Sequence, residues 1–299
     1  VDFGRLITAM VTPFDGEGEI NWEATSRLVD YLIKEQKSAA LVVCGTTGES
    51  PTLTDKEKLK LFSFVKQQAA GRCKIIAGTG SNSTRHSTEL TKEAEKIGVD
   101  GVLLVVPYYN KPNQEGLYQH FSAIAAATSL PCILYNVPGR TTVSMSVATT
   151  LRLAEIPNIV ATKECASVDQ ITWIASACPE DFHVYTGDDS AGLATLAVGG
   201  HGIISVASHV VGAQMSEMIE AFTSGNVRRA GELHRQLFPV FKGLFECPQP
   251  LPNPSAVKYA LGLRGMDVGS VRLPLVSPTE EEAAFIAALL REVSPGMDK

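Results

Sequence analysis

Positive charge is in short supply in this sequence. Lysine and arginine total 26 against 32 aspartates and glutamates, a net charge of −6 with an isoelectric point near 5.6. With no basic excess to displace phosphate counterions, the chain is a poor general nucleic-acid binder, although a global sum leaves room for a local basic patch. Cys-x-x-Cys is absent. The six cysteines (Cys44, Cys73, Cys132, Cys165, Cys178, Cys247) are dispersed, and no histidine stands at zinc-ligand spacing from them. That argues against a disulfide scaffold and for a reducing, cytoplasmic setting. The histidines (His86, His120, His183, His201, His209, His234) form no His-x-x-x-His or shared-strand pattern, so no metal site is expected. Residues 1–11 carry Asp2 and Arg5 and no long apolar stretch, so no signal peptide is read there. Charge is missing altogether from 116–139 and 190–216, each long enough to span a bilayer. Pro131 and Pro138 break the first, and the 199–202 glycine turn, His209 and Gln214 break the second. Both read as buried helix-plus-strand segments.

What is present points to a large core. Of 299 residues, 44% are hydrophobic and 19% charged, too apolar for a disordered chain. Short, nearly unbroken apolar runs recur at 6–11, 39–44, 74–77, 102–106, 132–136, 159–162, 183–186 and 203–206. Such runs mark parallel strands covered on both faces. Helical periodicity fills the gaps, over 22–35, 55–68, 84–97, 114–128, 147–154, 168–178, 190–198 and 214–222. Thr54, with Glu57 three residues later, supplies a capping box for the second of these. Eight strand–helix units predict an α/β fold, the (β/α)8 or TIM barrel. A doubly wound open sheet is the alternative. It usually carries a glycine-rich turn after its first strand, where this chain has Thr12-Pro13-Phe14-Asp15-Gly16. From about Gly225 the character changes. Leu233, Leu237, Val240, Phe241, Leu244 and Phe245 recur at helical spacing, and alternating prolines from Pro248 to Pro254 force an extended stretch. Helices are predicted over 255–263 and 279–291. The expected organisation is a catalytic barrel over 1–224 with a helical appendage over 225–299.

Barrel chemistry belongs at the C-terminal ends of the strands. Lys163 follows Ile-Val-Ala-Thr, so its stem starts inside the barrel, where desolvation favours a neutral amine able to attack a carbonyl. Position alone also fits a lysine that closes the strand and reaches for solvent. Tyr135 ends the neighbouring strand and can carry protons beside that amine, or can simply be a core tyrosine. Gly45-Thr46-Thr47-Gly48-Glu49-Ser50 presents hydroxyls and backbone N–H groups suited to a small carboxylate. It has no Gly-Lys-Ser/Thr, so a triphosphate loop is not indicated. Arg140 follows Pro-Gly on a loop and can clamp a second carboxylate, or face solvent. Tyr108 and Tyr109 lie on another loop, where aromatics more often pack an interface. Gly199-Gly200-His201-Gly202 precedes the eighth strand, at the opposite face, and reads as a tight turn.

Taken together, Gly45-Thr46-Thr47-Gly48-Glu49-Ser50, Pro107-Tyr108-Tyr109-Asn110, Tyr135-Asn136-Val137-Pro138-Gly139-Arg140-Thr141, Lys163-Glu164 and 199–206 resemble the dihydrodipicolinate synthases over essentially the whole chain. The resemblance implies a lyase that condenses pyruvate with L-aspartate 4-semialdehyde in lysine biosynthesis. It implies a pyruvate Schiff base on Lys163 and a proton relay of Tyr135, Thr46 and Tyr109, with Tyr109 supplied by a neighbouring subunit. Thr46 and Thr47 then hold the pyruvate carboxylate, with backbone contact from Ile204, and Arg140 receives the second substrate's carboxylate. No cofactor is implied, because the imine is the electron sink. No membrane or nucleic-acid partner is implied either, and the expected assembly is a homotetramer of two dimers. N-acetylneuraminate lyase and keto-deoxy-sugar aldolases share the lysine and tyrosine, but Pro138-Gly139-Arg140-Thr141 matches the synthases. A catalytically silent barrel acting as a binding protein is the reading from a different class. Some members of the family bind lysine at the dimer interface. Here Ser50, Asn82 and Tyr108 match, while His86 stands at the acidic position and Lys58 at a histidine position. Lys58 adds a like charge and His86 cannot replace a carboxylate, so weak or absent lysine feedback is expected, with the neighbouring Glu89 as the one acid able to compensate.

Overall fold

The computed structural model describes residues 1–293; residues 294–299, the end of the expected appendage, lie outside the described residues. The strands are β1 (Leu6–Ala9), β2 (Ala40–Val43), β3 (Lys74–Gly78), β4 (Gly101–Val105), β5 (Cys132–Asn136), β6 (Ile159–Glu164), β7 (His183–Thr186) and β8 (Gly202–Ser205). They pair in chain order, all parallel, and β8 returns to β1 to close a barrel. Around it run α1 (Trp22–Lys34), α2 (Asp55–Ala69), α3 (Thr84–Ile97), α4 (Gln114–Ala125), α5 (Pro138–Thr141), α6 (Val147–Ala154), α7 (Val168–Ala177), α8 (Gly192–Ala197) and α9 (Ser208–Thr223). Then come α10 (Val227–Glu246), α11 (Ser255–Leu263) and α12 (Glu280–Val293).

The strand alternation divides the apolar residues into two layers. Ile7, Val42, Ile76, Leu103, Ile133, Ala161, Tyr185 and Ile204 fill the barrel interior. Leu41, Ile75, Leu104, Leu134, Val184 and Ile203 face outward onto the helices. A strand with apolar neighbours on both faces needs no polar side, hence the unbroken runs in the sequence. Thr54 caps α2 through its side chain, with Glu57 reaching back to the Thr54 N–H at 2.8 Å.

Among the boundaries that depart from the sequence reading, three bear on the site or the fold. β2 stops at Val43, because Cys44 turns into a left-handed conformation (φ 56°) that no strand continues through. β6 runs two residues past 162 and takes in Lys163 and Glu164, which stand where the apolar run ends. α9 begins at Ser208 rather than 214, across an irregular Val211 (φ −134°). The uncharged segments resolve into α4 with β5, and α8 with β8 and the start of α9. Among the described residues, no helix is long and apolar enough to cross a membrane. All six cysteines are free thiols.

Candidate active site

The parallel register places the first pair of reactive groups. Tyr135 on β5 stands opposite Lys163 on β6, and Asn136 opposite Glu164. Partners in register share a face of the sheet, so the first pair points inward and the second outward. Lys163 and Tyr135 are each 5% exposed, and the Lys163 amine lies 4.2 Å from the centroid of the Tyr135 ring. Burial lowers the pKa of Lys163, because the ammonium form loses its hydration; Cys165 and Asp189 partly oppose this. Burial likewise raises the pKa of Tyr135, and a hydrogen bond with Thr46 acts in the opposite direction. The result is a protonated phenol beside an amine biased towards its neutral, nucleophilic form.

Gly187, just past β7, makes room for this lysine. A Cβ at Gly187 would collide with Lys163 Cε and Cys165 Sγ. The Cys165 thiol, its pKa pushed up by burial to about 11, is a neutral neighbour near pH 7. Asp189 is fully buried and its Oδ2 accepts the N–H groups of Val206 (3.2 Å) and Ala207 (2.8 Å), tying the loop after β7 to the end of β8. On the outward face, Glu164 accepts from Asn136 Nδ2 (2.9 Å), the Ala166 N–H (2.9 Å) and Gln170 Nε2 (3.0 Å). Burial nonetheless raises the Glu164 pKa to about 7.

The turn after β2 carries the two threonines. Its shape depends on Cys44 and Glu49, both left-handed, and on Thr12 Oγ1 donating to the Gly48 carbonyl at 2.7 Å. Gly48 packs against the Cys44 backbone and the Met10 carbonyl, and a Cβ there would come within about 3.0 Å of Cys44. Thr46, Thr47, Tyr135, Arg140 and Lys163 together line a cavity of about 290 Å³, roofed by Phe241 and Phe245 of α10. Arg140, on α5, is exposed at the mouth and has no ion-pair partner among the described residues. Ile204 is fully buried in the barrel interior, and Val206, two residues on, reaches the cavity wall. Tyr109 is left-handed (φ 73°) and 89% exposed, and does not line this cavity. Within one chain, therefore, Thr46, Thr47, Tyr135, Arg140 and Lys163 come together and Tyr109 does not.

A larger cavity of about 610 Å³ adjoins the first at Thr46, Tyr135 and Arg140 and extends outward to Ser50, Asn82 and Tyr108. Its wall contains Lys58, His86 and Asp55. Asp55 was not singled out in the sequence, yet its carboxylate lies 2.8 Å from His86 Nε2 and 4.0 Å from Lys58 Nζ. Glu89 is exposed and does not line this cavity.

At the opposite end of the barrel, Asp2, His183 and His201 meet, from the segment before β1, the start of β7 and the turn before β8. The two rings stack 3.7 Å apart and 6° from parallel, and His201 Nε2 lies 3.1 Å from Asp2 Oδ1. Stacked rings send their nitrogen lone pairs along parallel planes rather than towards one point, a geometry unsuited to a shared metal ion.

The sequence missed Asp189, Cys165, Asn253 and the α10 aromatics as parts of this site. Gly187-Asp188-Asp189 follows the seventh apolar run, but nothing in the sequence there signals a role. Asn253 sat in the proline-rich stretch that signalled only extension.

The family model described as the dihydrodipicolinate synthetase family matches residues 2–293. The 4-hydroxy-tetrahydrodipicolinate synthase of Moorella thermoacetica is 56% identical over 98% of this chain and 99% of its own length. That of Bacillus subtilis is 53% identical over 98% of this chain and all of its own. The crystal structure of a dihydrodipicolinate synthase from Bacillus anthracis superposes with a TM-score of 0.95 at 52% identity, covering 98% of this chain and 99% of that one.

Proposed function

The chain belongs to the dihydrodipicolinate synthetase family, and from that premise we propose how the mouth of its barrel carries out the reaction. The protein is a lyase of lysine biosynthesis, joining pyruvate to L-aspartate 4-semialdehyde to give 4-hydroxy-tetrahydrodipicolinate. One observation carries the assignment of roles: a buried lysine amine, its charge disfavoured, against the face of a protonated tyrosine.

Lys163 attacks the ketone carbon of pyruvate. Tyr135 delivers a proton to the carbinolamine oxygen, which leaves as water, and an iminium remains. The iminium acidifies the methyl group, and loss of a proton gives an enamine that attacks the aldehyde carbon. The amino group of the second substrate then displaces Lys163 by transimination as the ring closes, so the amine is returned unchanged. Thr46 links Tyr135 to the next proton carrier, for which Tyr109 of a neighbouring copy is the candidate. Its exposure in a single chain supports that arrangement. Thr47 and the end of β8 at Ile204 hold the pyruvate carboxylate. The assembly this reading calls for is a homotetramer of two dimers, working in the cytoplasm, with neither cofactor nor metal in the reaction.

Arg140 sets the choice of acceptor. A second carboxylate calls for a fixed cation at the mouth, and Arg140 stands there unpaired among the described residues. Arg140→Ala is expected to lower kcat/KM for aspartate semialdehyde by roughly 10–150-fold, the worth of a charged bidentate contact, while pyruvate imine formation changes little. Steady-state kinetics with each substrate varied checks this, and an unchanged acceptor kcat/KM removes Arg140 from the site. A parallel assay with N-acetylmannosamine as acceptor tests the function itself: turnover with that sugar and none with the semialdehyde would make the protein a sugar aldolase.

Lysine is expected to be a weak inhibitor. In the larger cavity Lys58 repels an ammonium, and the nearby acid, Asp55, is already engaged by His86 and Lys58. Half-inhibition should require more than millimolar L-lysine at neutral pH, and a submillimolar value contradicts the argument. His86→Glu combined with Lys58→His should lower the required concentration at least tenfold.

A further inference from the structure

The C-terminal region reaches back into the barrel mouth at one atom. Asn253, in the extended stretch before α11, donates from Nδ2 to Thr47 Oγ1 at 2.9 Å, joining residues 206 apart in sequence, and both side chains are buried. Both also line the cavity that holds Lys163. A threonine hydroxyl has one proton and two lone pairs, and its proton rotates to suit its partners. When an amide N–H occupies one lone pair, the hydroxyl proton turns away from that amide. Here the space left to it is the cavity.

The same region grips the other end of the turn. Glu49, three residues from Thr46 and left-handed, has its carboxylate sealed inside the protein. Lys258 Nζ of α11 lies 2.7 Å from Glu49 Oε1 and donates to the Ser270 carbonyl at 2.7 Å. The Arg272 N–H donates to Glu49 Oε2 at 2.9 Å. A buried ion pair broken on one side leaves an uncompensated charge, so this contact resists sliding. The turn bearing Thr46 and Thr47 is thus fixed against the 253–272 segment at two points, and Asn253 meets Thr47 with little freedom to drift.

We propose that Asn253 is a positioning residue for the α-keto acid: its amide occupies a lone pair of Thr47 Oγ1 and so commits the Thr47 proton to the substrate carboxylate. This rests on the reading of Thr47 as a carboxylate ligand. The helical region after the barrel is then part of substrate recognition as well as of packing.

Two substitutions separate orientation from mere filling of space. Asn253→Ala frees the hydroxyl to rotate. Asn253→Asp reverses its polarity, since a carboxylate can only accept and draws the Thr47 proton out of the cavity. Expected are a rise in pyruvate KM of roughly tenfold for Ala and a larger one for Asp, with the KM for aspartate semialdehyde within twofold of wild type. In a Thr47→Val background, Asn253→Ala should add nothing to the pyruvate KM. A purely structural role would lower the melting temperature without this split. The inference is overturned if Asn253→Asp binds pyruvate as wild type or as Asn253→Ala does, if both substrates weaken alike, or if the effects of Thr47→Val and Asn253→Ala multiply. Should the Asp variant fail to fold, the Ala variant and the double variant decide alone. A wild-type protein that forms no imine with pyruvate would sink the functional reading itself; one that forms it while these variants behave otherwise sinks only this inference.

Discussion

Lys163→Ala should reduce turnover by on the order of 10⁴-fold or more, because every later step runs through the bond this amine forms. The amine is buried and its ammonium form is disfavoured, whereas Lys242, which also lines the cavity, is paired with Glu246, and that contact raises its pKa and holds it as an ammonium. Lys163→Arg should be as inactive as Lys163→Ala. A guanidinium keeps the positive charge but offers no neutral amine. That comparison isolates covalent chemistry from electrostatics: if Arg restored even a tenth of the activity, Lys163 would be acting as a charge. A continuous assay of ring-product formation, with circular dichroism to show that each variant is folded, reads the result.

Tyr109→Phe should cost about 10²–10⁴-fold in kcat, the usual contribution of a positioned proton carrier. Imine formation with pyruvate should survive in part, since Tyr135 and Thr46 stay in place. Tyr109 holds a left-handed backbone conformation, is 89% exposed, and stands outside its own chain's cavity. In the proposed dimer a neighbouring copy offers it a site. Inactive Tyr109→Phe and Lys163→Ala chains mixed into hybrid dimers should regain activity, because one site per hybrid then holds both the lysine and the tyrosine. Verified hybrids with no recovery would place the relay's last group elsewhere.

Much of the fold was legible because a parallel barrel writes itself in unbroken apolar runs separated by amphipathic helices. Tyr135 and Lys163 could be set side by side on that basis, since they end consecutive strands. The errors fell where local conformation opposed the pattern. Lys163 and Glu164 lie beyond the apolar run that marked the sixth strand, yet the register carries β6 through both and hides Glu164 behind hydrogen bonds from Asn136 and Gln170. Ser208 to Val211 read as loop because the helix there is irregular. Contacts across long separations have no periodicity to betray them. The Asn253–Thr47 bond, the Lys258–Glu49 pair and the meeting of Asp55 with His86 each join elements that only the closed barrel brings together. Asp2, His183 and His201 show the converse: residues without a sequence pattern gathered by three adjacent strands, in a stacking that leaves their nitrogens unaligned.

The proposed mechanism turns on one covalent bond, between Lys163 Nζ and the ketone carbon of pyruvate. Incubating the wild-type protein with pyruvate and borohydride, then digesting it for mass spectrometry, should leave a reduced pyruvyl adduct on Lys163, in step with loss of activity and prevented by Lys163→Ala. An adduct on another lysine, or full inactivation with none, would contradict it.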